Sequence, residues 1–414
     1  MKEKLIVIGG GAAGFFCAIN TAIANPRMEV IIVEKSSKLL SKVRISGGGR
    51  CNVTHACFSI SEMIKNYPRG QKFLKPGFHQ FFTTDTITWF QERGVDLKTE
   101  PDGRMFPESN SSQSIIDCLM NEVNKNNIHI LMNHEVVKIE KVQNSCESYF
   151  QLFFKDGSFL KSDFICIACG GFPKSIQYNW LASLGHTFEE PVPSLFTFNV
   201  PKNPIAELMG VSIKDATVKI KGTKLSQRGP VLITHWGFSG PAVLKLSAFG
   251  AIELAKLNYD FSISINWVAD RDENKMLQQL RALRLELATQ KIINRNPFSL
   301  PQRLWQYNLE KCKIDSETRW AELPAKQQNQ LAKQLCAEEF KVKGKTTYKE
   351  EFVTAGGIKL SEVNSQTMES RLIPNLFFAG EILNIDGITG GFNFQNAWTS
   401  GWIAAQSIGS KYNG

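Results

Sequence analysis

Residues 5–14 read Leu5-Ile6-Val7-Ile8-Gly9-Gly10-Gly11-Ala12-Ala13-Gly14, four apolar residues followed by a G-x-G-x-x-G turn. A continuous apolar run fits a strand buried on both faces of a parallel sheet. The turn feeds a helix over Ala12 to about Ala24, stopped at Asn25-Pro26. Val30-Ile31-Ile32-Val33 supplies a second buried strand, so residues 4–34 form one βαβ unit. Within it Gly9 permits the tight turn, Gly11 lets the backbone approach a pyrophosphate, and Gly14 allows close helix–strand packing. Ala12 and Ala13 open the helix, where unpaired amides and the positive dipole end hold an anion. Glu34 ends the second strand 20 residues after Gly14 and is followed by Lys35. An acidic side chain at that spacing accepts hydrogen bonds from an adenosine ribose and repels a phosphorylated one, which points to FAD or NAD. No second G-x-G-x-x-G follows a strand, which argues against a separate NAD(P)H domain.

The chain has 414 residues, 43% of them hydrophobic, with 28 Phe and 8 Trp. That suffices for two or three cored domains and excludes a disordered chain, a collagen-like repeat and a disulfide scaffold. The apolar stretch from Leu5 to Ile19 is broken by glycines and is too short to span a bilayer. Lys2 and Lys4 before it give a superficial likeness to a leader, but the glycine spacing fits a folded nucleotide unit. Nine scattered cysteines suit reduced thiols and a cytoplasmic protein. Lys and Arg number 48 against 39 Asp and Glu, a formal net charge of +9. Such an excess fits nucleic acid, lipid, an anionic small molecule or no specific partner. With acids dispersed among the cations and no helix-turn-helix or RNA-binding motif, no nucleic-acid partner is expected, and no membrane.

Further along, Ser36 to Asn52 reads as a polar, glycine-rich loop. Helical patterns cover Thr84 to Arg93 and Gln113 to Asn124, with strands near His129 to Lys138, Phe150 to Lys155 and Phe164 to Ala168. The texture changes at Pro191 and Pro193. From Leu195 to Val268, short alternating segments such as Ala216 to Lys221, Val231 to Trp236 and Phe261 to Trp267 predict antiparallel sheet. Asp270 to about Phe340 turns helical in period, with Leu277, Leu280, Leu283 and Leu287 on one stripe. Leu376 to Ala379 then reads as a strand and Phe392 to Ile408 as a closing helix. The fold class is therefore α/β, a Rossmann-like parallel-sheet domain from residues 1–190 and 346–414. It is split by an inserted β subdomain, 191–269, and a helical subdomain, 270–345.

Two more glycine clusters carry chemistry. Ser46-Gly47-Gly48-Gly49-Arg50-Cys51-Asn52 presents backbone N–H groups to an extended ligand, with Lys42, Arg44 and Arg50 as cations for a pyrophosphate. Gly380-Glu381 closes a strand, where a carboxylate binds ribityl hydroxyls. Gly387 to Gln395 then opens the final helix, whose N-terminus, aimed at a flavin pyrimidine, stabilises the anion formed on reduction.

Taken with these clusters, the sequence resembles the BaiN-like (YhiN-type) family of FAD-dependent oxidoreductases, whose members also go under the heading of aminoacetone-oxidase-type FAD-binding enzymes. The stretches that carry the likeness are GGGAAG (9–14) with Glu34, SGGGRCNVTH (46–55), DGRMFPES (102–109), CIACGGFPK (166–174), THWGFSGPAVLKLS (234–247), TAGGIKL (354–360) and LFFAGEILNIDGITGGFNFQNAW (376–398). The resemblance implies FAD held by Gly9 to Gly14, Glu34 and Lys35, Lys42, Ser46 to Asn52, Val136, Ala168 and Gly170. It adds Gly380, Glu381, Asp386, Gly390, Gly391, Asn393, Phe394 and Gln395 from the C-terminal end. The family's A-T-G-G reads Ala168-Cys169-Gly170-Gly171 here, and Asn384 stands where an acid is usual.

Rival readings are weaker. Cys166 and Cys169 have C-x-x-C spacing, but residues three apart on a strand face opposite ways. Cys51, His55 and Cys57 lack a fourth ligand for zinc, so no metal is expected. Gly237-Phe238-Ser239-Gly240 lacks the spacing of a nucleophile elbow. His235 as acid or base and Arg104 as the group orienting a carboxylate or carbonyl substrate are the catalytic candidates.

The expectation is a FAD-dependent oxidoreductase moving hydride through flavin N5 to or from a small organic substrate, with NAD(P)H as transient reductant or the substrate itself as donor. An NAD-dependent dehydrogenase and a non-catalytic flavin-containing nucleic-acid-binding protein are the alternatives.

Overall fold

The computed structural model describes residues 3–143, 148–347 and 353–412, and the chain divides into two compact units, residues 1–194 with 348–414 and residues 195–347.

The first unit is built on a parallel sheet. Its elements are β1 (Lys4–Ile8), α1 (Ala12–Ala24), β2 (Glu29–Glu34), β3 (His129–Met132), β4 (Phe164–Ile167), β5 (Leu376–Phe378) and α2 (Phe392–Tyr412). The sheet order is β5-β4-β1-β2-β3 with every pair parallel. Val7 lies opposite both Ile32 and Cys166, so the central strand is covered on both edges. Its side chains Leu5, Ile6 and Val7 are fully buried, as a strand with helices on its faces requires. α1 is buried on nearly every side, Phe15 to Ala22 included, which explains its lack of a polar stripe. α2 closes onto it through small residues: a Cβ at Gly401 would lie 2.7 Å from the Ala13 carbonyl oxygen. The first and last helices of the chain thus share one interface. Phe16 anchors it, with ring centroids 4.6 Å from Trp89 and 5.2 Å from Trp398.

Three smaller sheets complete this unit. Val136–Gln143, Ser148–Phe154 and Phe159–Ser162 form an antiparallel meander, and Leu97–Thr99, Arg104–Pro107 and Thr54–His55 form a second. Phe188–Ser194 pairs antiparallel with Val353–Ile358.

The second unit is a seven-stranded antiparallel sheet in the order Glu338–Lys343, Asp260–Asn266, Ser212–Ile220, Ser226–Thr234, Gly237–Ser239, Thr197–Asn199, Lys345–Thr346. Helices Glu273–Glu286, Gln302–Lys311 and Ala325–Ala337 bury Leu280, Trp305 and Leu331 in the same core as Val218, Ile263 and Phe340.

Several readings of the sequence change here. The separate β and helical subdomains share one core. Strand Phe188–Ser194 belongs to the first unit, which moves the lower boundary to 194/195. Residues 338–343, at the end of the stretch read as helical to about Phe340, form a strand whose first inward side chain is Glu338. That carboxylate is buried and accepts from Trp267 Nε1 at 2.8 Å and the Tyr307 hydroxyl at 2.9 Å, so the inward position is polar and masks the alternation. Asn133, at φ 60°, splits the strand expected over His129 to Lys138. Pro241–Phe249 is a helix inside the stretch read as sheet. The loop expected from Ser36 to Asn52 contains a helical turn from Ser41 before its glycines turn left-handed.

Candidate functional site

The G-x-G-x-x-G turn is shaped by hard contacts. Gly9 has φ +119°, and a Cβ there would lie 2.4 Å from the Ala168 carbonyl oxygen. A Cβ on Gly14 would lie 2.0 Å from the Gly9 carbonyl oxygen. Gly11 differs: a Cβ there would meet nothing within 4 Å, so its lack of a side chain keeps space open above the helix start. Gly11 is the N-cap of α1, which has neither a side-chain cap nor an acidic residue in its first turn. The amides at Ala12 and Ala13 are therefore orphan donors at a positive dipole end, the arrangement that takes a phosphate.

Glu34 sits beside this turn. Its Oε2 accepts from Gly10 N at 2.9 Å, and its Oε1 accepts from Ser36 N at 2.9 Å and Ser36 Oγ at 2.8 Å. A carboxylate has about four acceptor sites, so about one is left for a ribose hydroxyl. Next to it a cavity of about 320 Å³ is lined by Lys35, Asn133, Glu135, Lys155 and Asp156. Val136, half-buried, starts the adjoining strand.

Residues 46–52 run Ser46 at ψ 147°, then Gly47, Gly48 and Gly49 at φ +59°, +70° and +82°, then Cys51 at φ +59°. Successive amides in such a turn form a concavity that suits an anion. Gly48, Gly49 and also Gly170 have open space where a Cβ would sit. Burial pushes the Cys51 thiol up to about 12, so it is uncharged at neutral pH. Burial likewise pushes Cys169 up to about 12, and all eight described cysteines are free.

The three cations assigned to the pyrophosphate are engaged by protein groups. Lys42 Nζ lies 2.5 Å from Glu381, Arg44 donates to Gln113 at 3.0 Å, and Arg50 pairs with Glu100 at 2.5 Å while covering the Phe106 ring at 3.9 Å. The amides of the helix start and glycine turn, rather than Arg50, are left as the main anion donors.

At the other end of the chain, Gly380 has φ +76° and donates to Ser400 Oγ at 2.8 Å. Glu381 Oε1 accepts from Thr354 N at 2.9 Å. Thr354 Oγ1 and Asn384 Oδ1 are buried without a partner among the described residues. Gly390 and Gly391, at φ +129° and +93°, begin α2. His55 Nδ1 lies 3.0 Å from the Gly390 carbonyl oxygen, and the Asn52 amide accepts from Gly391 N at 2.9 Å. Trp398 Nε1 donates to Val53 O at 2.9 Å. Residues 51–55 and 390–398 are thus laced together.

Some expected cofactor contacts are used inside the protein instead. Asp386 is fully buried and pairs with Arg69, with Ser194 Oγ donating to it at 2.7 Å. Gln395 is fully buried, accepting from Thr54 at 2.6 Å and Thr86 at 3.1 Å and donating to Thr399 at 3.1 Å. Asn393 exchanges two hydrogen bonds with the Gly387 backbone, at 2.8 and 2.9 Å. Phe394 stacks on Trp398 at 5.8 Å. These four shape the loop from within. Arg104 pairs with Asp102 at 2.7 Å and Glu100 at 3.2 Å, on the strand paired with Thr54–His55. His235 lies in the second unit, exposed at a turn, with its ring 4.1 Å from that of Trp236.

Sequence reasoning missed Arg69, Thr354 and Ser400 as elements of the site. Thr354 stands in the quoted TAGGIKL stretch, whereas Arg69 has no motif around it.

The donor set fits FAD. A capless helix start with an open glycine suits the pyrophosphate, Glu34 retains one acceptor for ribose, and buried Thr354 Oγ1 lies beside Glu381, where an elongated polar ligand would satisfy it.

Comparison with known proteins agrees. The family model described as HI0933-like protein Rossmann domain matches residues 3–407. The Escherichia coli (strain K12) ribosomal RNA dihydrouridine synthase is 29% identical over 412 residues, covering 97% of each chain. The 3-dehydro-bile acid delta(4,6)-reductase of Clostridium scindens is 26% identical, covering 99% of this chain and all of the relative. Among solved structures, the 3-ketosteroid delta1-dehydrogenase of Sterolibacterium denitrificans superposes with a TM-score of 0.52 at 12% identity, covering 99% of this chain and 100% of that one. With the Rossmann turn, the cradle and the match over nearly the whole chain in agreement, the protein belongs to the HI0933-like Rossmann-domain family and is an FAD-dependent oxidoreductase.

Proposed function

We propose that this oxidoreductase adds hydrogen across a carbon–carbon double bond conjugated to a carbonyl, in uracil rings of RNA, with NAD(P)H supplying the reducing equivalents. The observation that carries the reaction type is the lacing of residues 51–55 to the Gly390–Gly391 start of α2. It fixes a helix N-terminus where negative charge is favoured, which is what reduction of a flavin demands. Bound FAD supplies a two-electron carrier between a nicotinamide and a carbon centre. Ala12 and Ala13 would hold its pyrophosphate, Glu34 its ribose, Glu381 with Thr354 its ribityl chain, and Gly390 and Gly391 its pyrimidine edge. Arg104 is proposed to orient the substrate carbonyl, and His235 is retained as a proposed acid–base group of the inserted unit.

The names of the relatives support this reading. A dihydrouridine synthase and a delta(4,6)-reductase both saturate a carbon–carbon double bond, and in uracil and in a 3-oxo-4,6-diene that bond is conjugated to a carbonyl. A Haemophilus influenzae relative at 28% identity bears the same dihydrouridine synthase name. RNA thus enters as a substrate although the dispersed charges led to no such expectation. A small-molecule enone is the second reading, favoured by the Clostridium scindens relative. The dehydrogenase alternative does not need the C-terminal cradle.

The test is anaerobic. Protein reduced with NADH or NADPH is mixed with unmodified ribosomal RNA transcript or with a 3-oxo-4,6-diene steroid, and flavin reoxidation and product mass are followed. Reoxidation by RNA, with uridine gaining about 2 Da, is expected. Reoxidation by the steroid alone favours the second reading, and reoxidation by neither contradicts both.

A further inference from the structure

The net charge of +9 is confined to one unit. Residues 195–347 contain 23 Lys and Arg against 14 Asp and Glu, whereas the rest of the chain contains 25 of each. Pairing differs as well. In the neutral unit eleven cations, Arg69 and Lys411 among them, form ion pairs with acids among the described residues. In the inserted unit only Lys221, Arg228, Lys291 and Lys341 do so. The dispersed look of the linear sequence hides this segregation.

Part of the excess lies on an open sheet face. Strands Glu338–Lys343, Asp260–Asn266 and Ser212–Ile220 send Phe340, Val342, Ile263, Ile265, Val218 and Ile220 into the core. By alternation the opposite face presents Lys219, Lys341 and Lys343 together with Asp260 and Glu339, all exposed, over a floor of Thr217, Ser262 and Ser264. Asp260 pairs with Lys341 and Glu339 with Lys221, which leaves Lys219 and Lys343 as the cations of this face that form no ion pair among the described residues. Lys219 lies in register with Ser264, and Lys341 with Ser262, so the cations border a strip of small hydroxyls. The phenylalanines of these strands point inward, so the face offers charge and hydroxyl donors but no stacking platform.

We propose that this face of the inserted unit docks the phosphate backbone of RNA, without reading its sequence. Cations over a hydroxyl floor recognise a polyanion, and the lack of aromatics separates the surface from one that stacks bases. The inference rests on the RNA reading above and says which part of the chain supplies the grip.

The test uses the full-length flavoprotein and a labelled single-stranded RNA of about 20 nucleotides, with affinity measured across a salt series. Lys219→Ala with Lys343→Ala is compared with Lys72→Ala and Lys75→Ala, an equal loss of charge from an exposed helix face of the neutral unit. The sheet-face pair is expected to bind about tenfold more weakly and to flatten the slope of log affinity against log salt by about 1.5. The helix pair should stay within about twofold of wild type, and all three proteins should keep the same NAD(P)H-driven flavin reduction. Equal losses in both pairs, or none in the sheet-face pair, overturn the proposal. So does wild-type protein that ignores RNA and binds only vesicles containing anionic lipid. If RNA binding follows the expected pattern but uridine is not reduced, the docking surface stands and the reaction assignment fails.

Discussion

His55 Nδ1 lies 3.0 Å from the carbonyl oxygen of Gly390, and the His55 ring stacks on Phe392 with centroids 4.7 Å apart. A carbonyl only accepts, so Nδ1 carries the proton. One side chain from the first sixty residues thereby fixes the turn that starts the last helix, and with it the orientation of the amides at Gly390 and Gly391. His55→Ala should leave the fold intact and weaken FAD binding about tenfold, the worth of one hydrogen bond. Titrating apoprotein with FAD checks this, and an unchanged affinity would remove His55 from the account.

Gly14→Ala tests the fold rather than the ligand. Its Cβ would press to 2.0 Å on the Gly9 carbonyl oxygen, a backbone atom that cannot rotate away. A loss of about 3 kcal/mol or failure to fold is expected. Chemical denaturation in excess FAD separates this from simple loss of cofactor.

The buried Arg69–Asp386 pair makes a double-mutant prediction. Removing either partner leaves a charge with little access to water, so Asp386→Ala or Arg69→Ala should each cost about 3–5 kcal/mol. Arg69→Ala with Asp386→Ala should cost clearly less than the two single losses added together. Urea midpoints of the four proteins measure the coupling, and strict additivity would deny it.

His186 sets an acid limit on stability. Its ring is buried, with Nδ1 3.1 Å from Glu362 and Nε2 3.0 Å from Ser370 Oγ, and that hydroxyl accepts from the amides of Leu372 at 3.0 Å and Ile373 at 2.9 Å. Burial lowers the His186 pKa below 6.5, and the Glu362 carboxylate offsets this only in part. The unfolded chain therefore binds a proton that the folded chain refuses. Stability should hold above about pH 6.5 and fall below it by up to about 1.4 kcal/mol per pH unit. Denaturation midpoints between pH 5 and 7.5 should show the slope, and His186→Asn should lack it.

The parallel sheet and its glycine turn were legible because each rests on local chemistry: a run of apolar residues buried on both sides, and glycines forced by backbone contacts. The glycine-rich helix start at the chain's end was legible from its residues and from the family likeness, but its lacing to residues 51–55 was not, since nothing local predicts that Gly391 would meet Asn52. Glu338 shows why the return strand of the inserted unit was missed. A buried carboxylate satisfied by Trp267 and Tyr307 breaks the alternation on which strand reading depends. Asp386 and Gln395 were expected as cofactor ligands through the family resemblance; here their partners, Arg69, Thr54 and Thr86, lie more than 300 residues away in sequence, where no local pattern announces them. Charge segregation escaped notice because it depends on where the units divide.

The central claim is that both ends of the chain build one FAD cradle whose open space is kept by Gly11. Gly11 has φ −99° and room for a side chain, so Gly11→Val should fold normally. The decisive measurement is flavin released per chain from purified wild type and Gly11→Val after denaturation, alongside the circular dichroism of each. The account predicts about one FAD per wild-type chain, and native ellipticity with almost no FAD in the variant. A folded wild-type protein that is colourless and cannot be reconstituted, or a Gly11→Val protein that keeps full flavin, would contradict it.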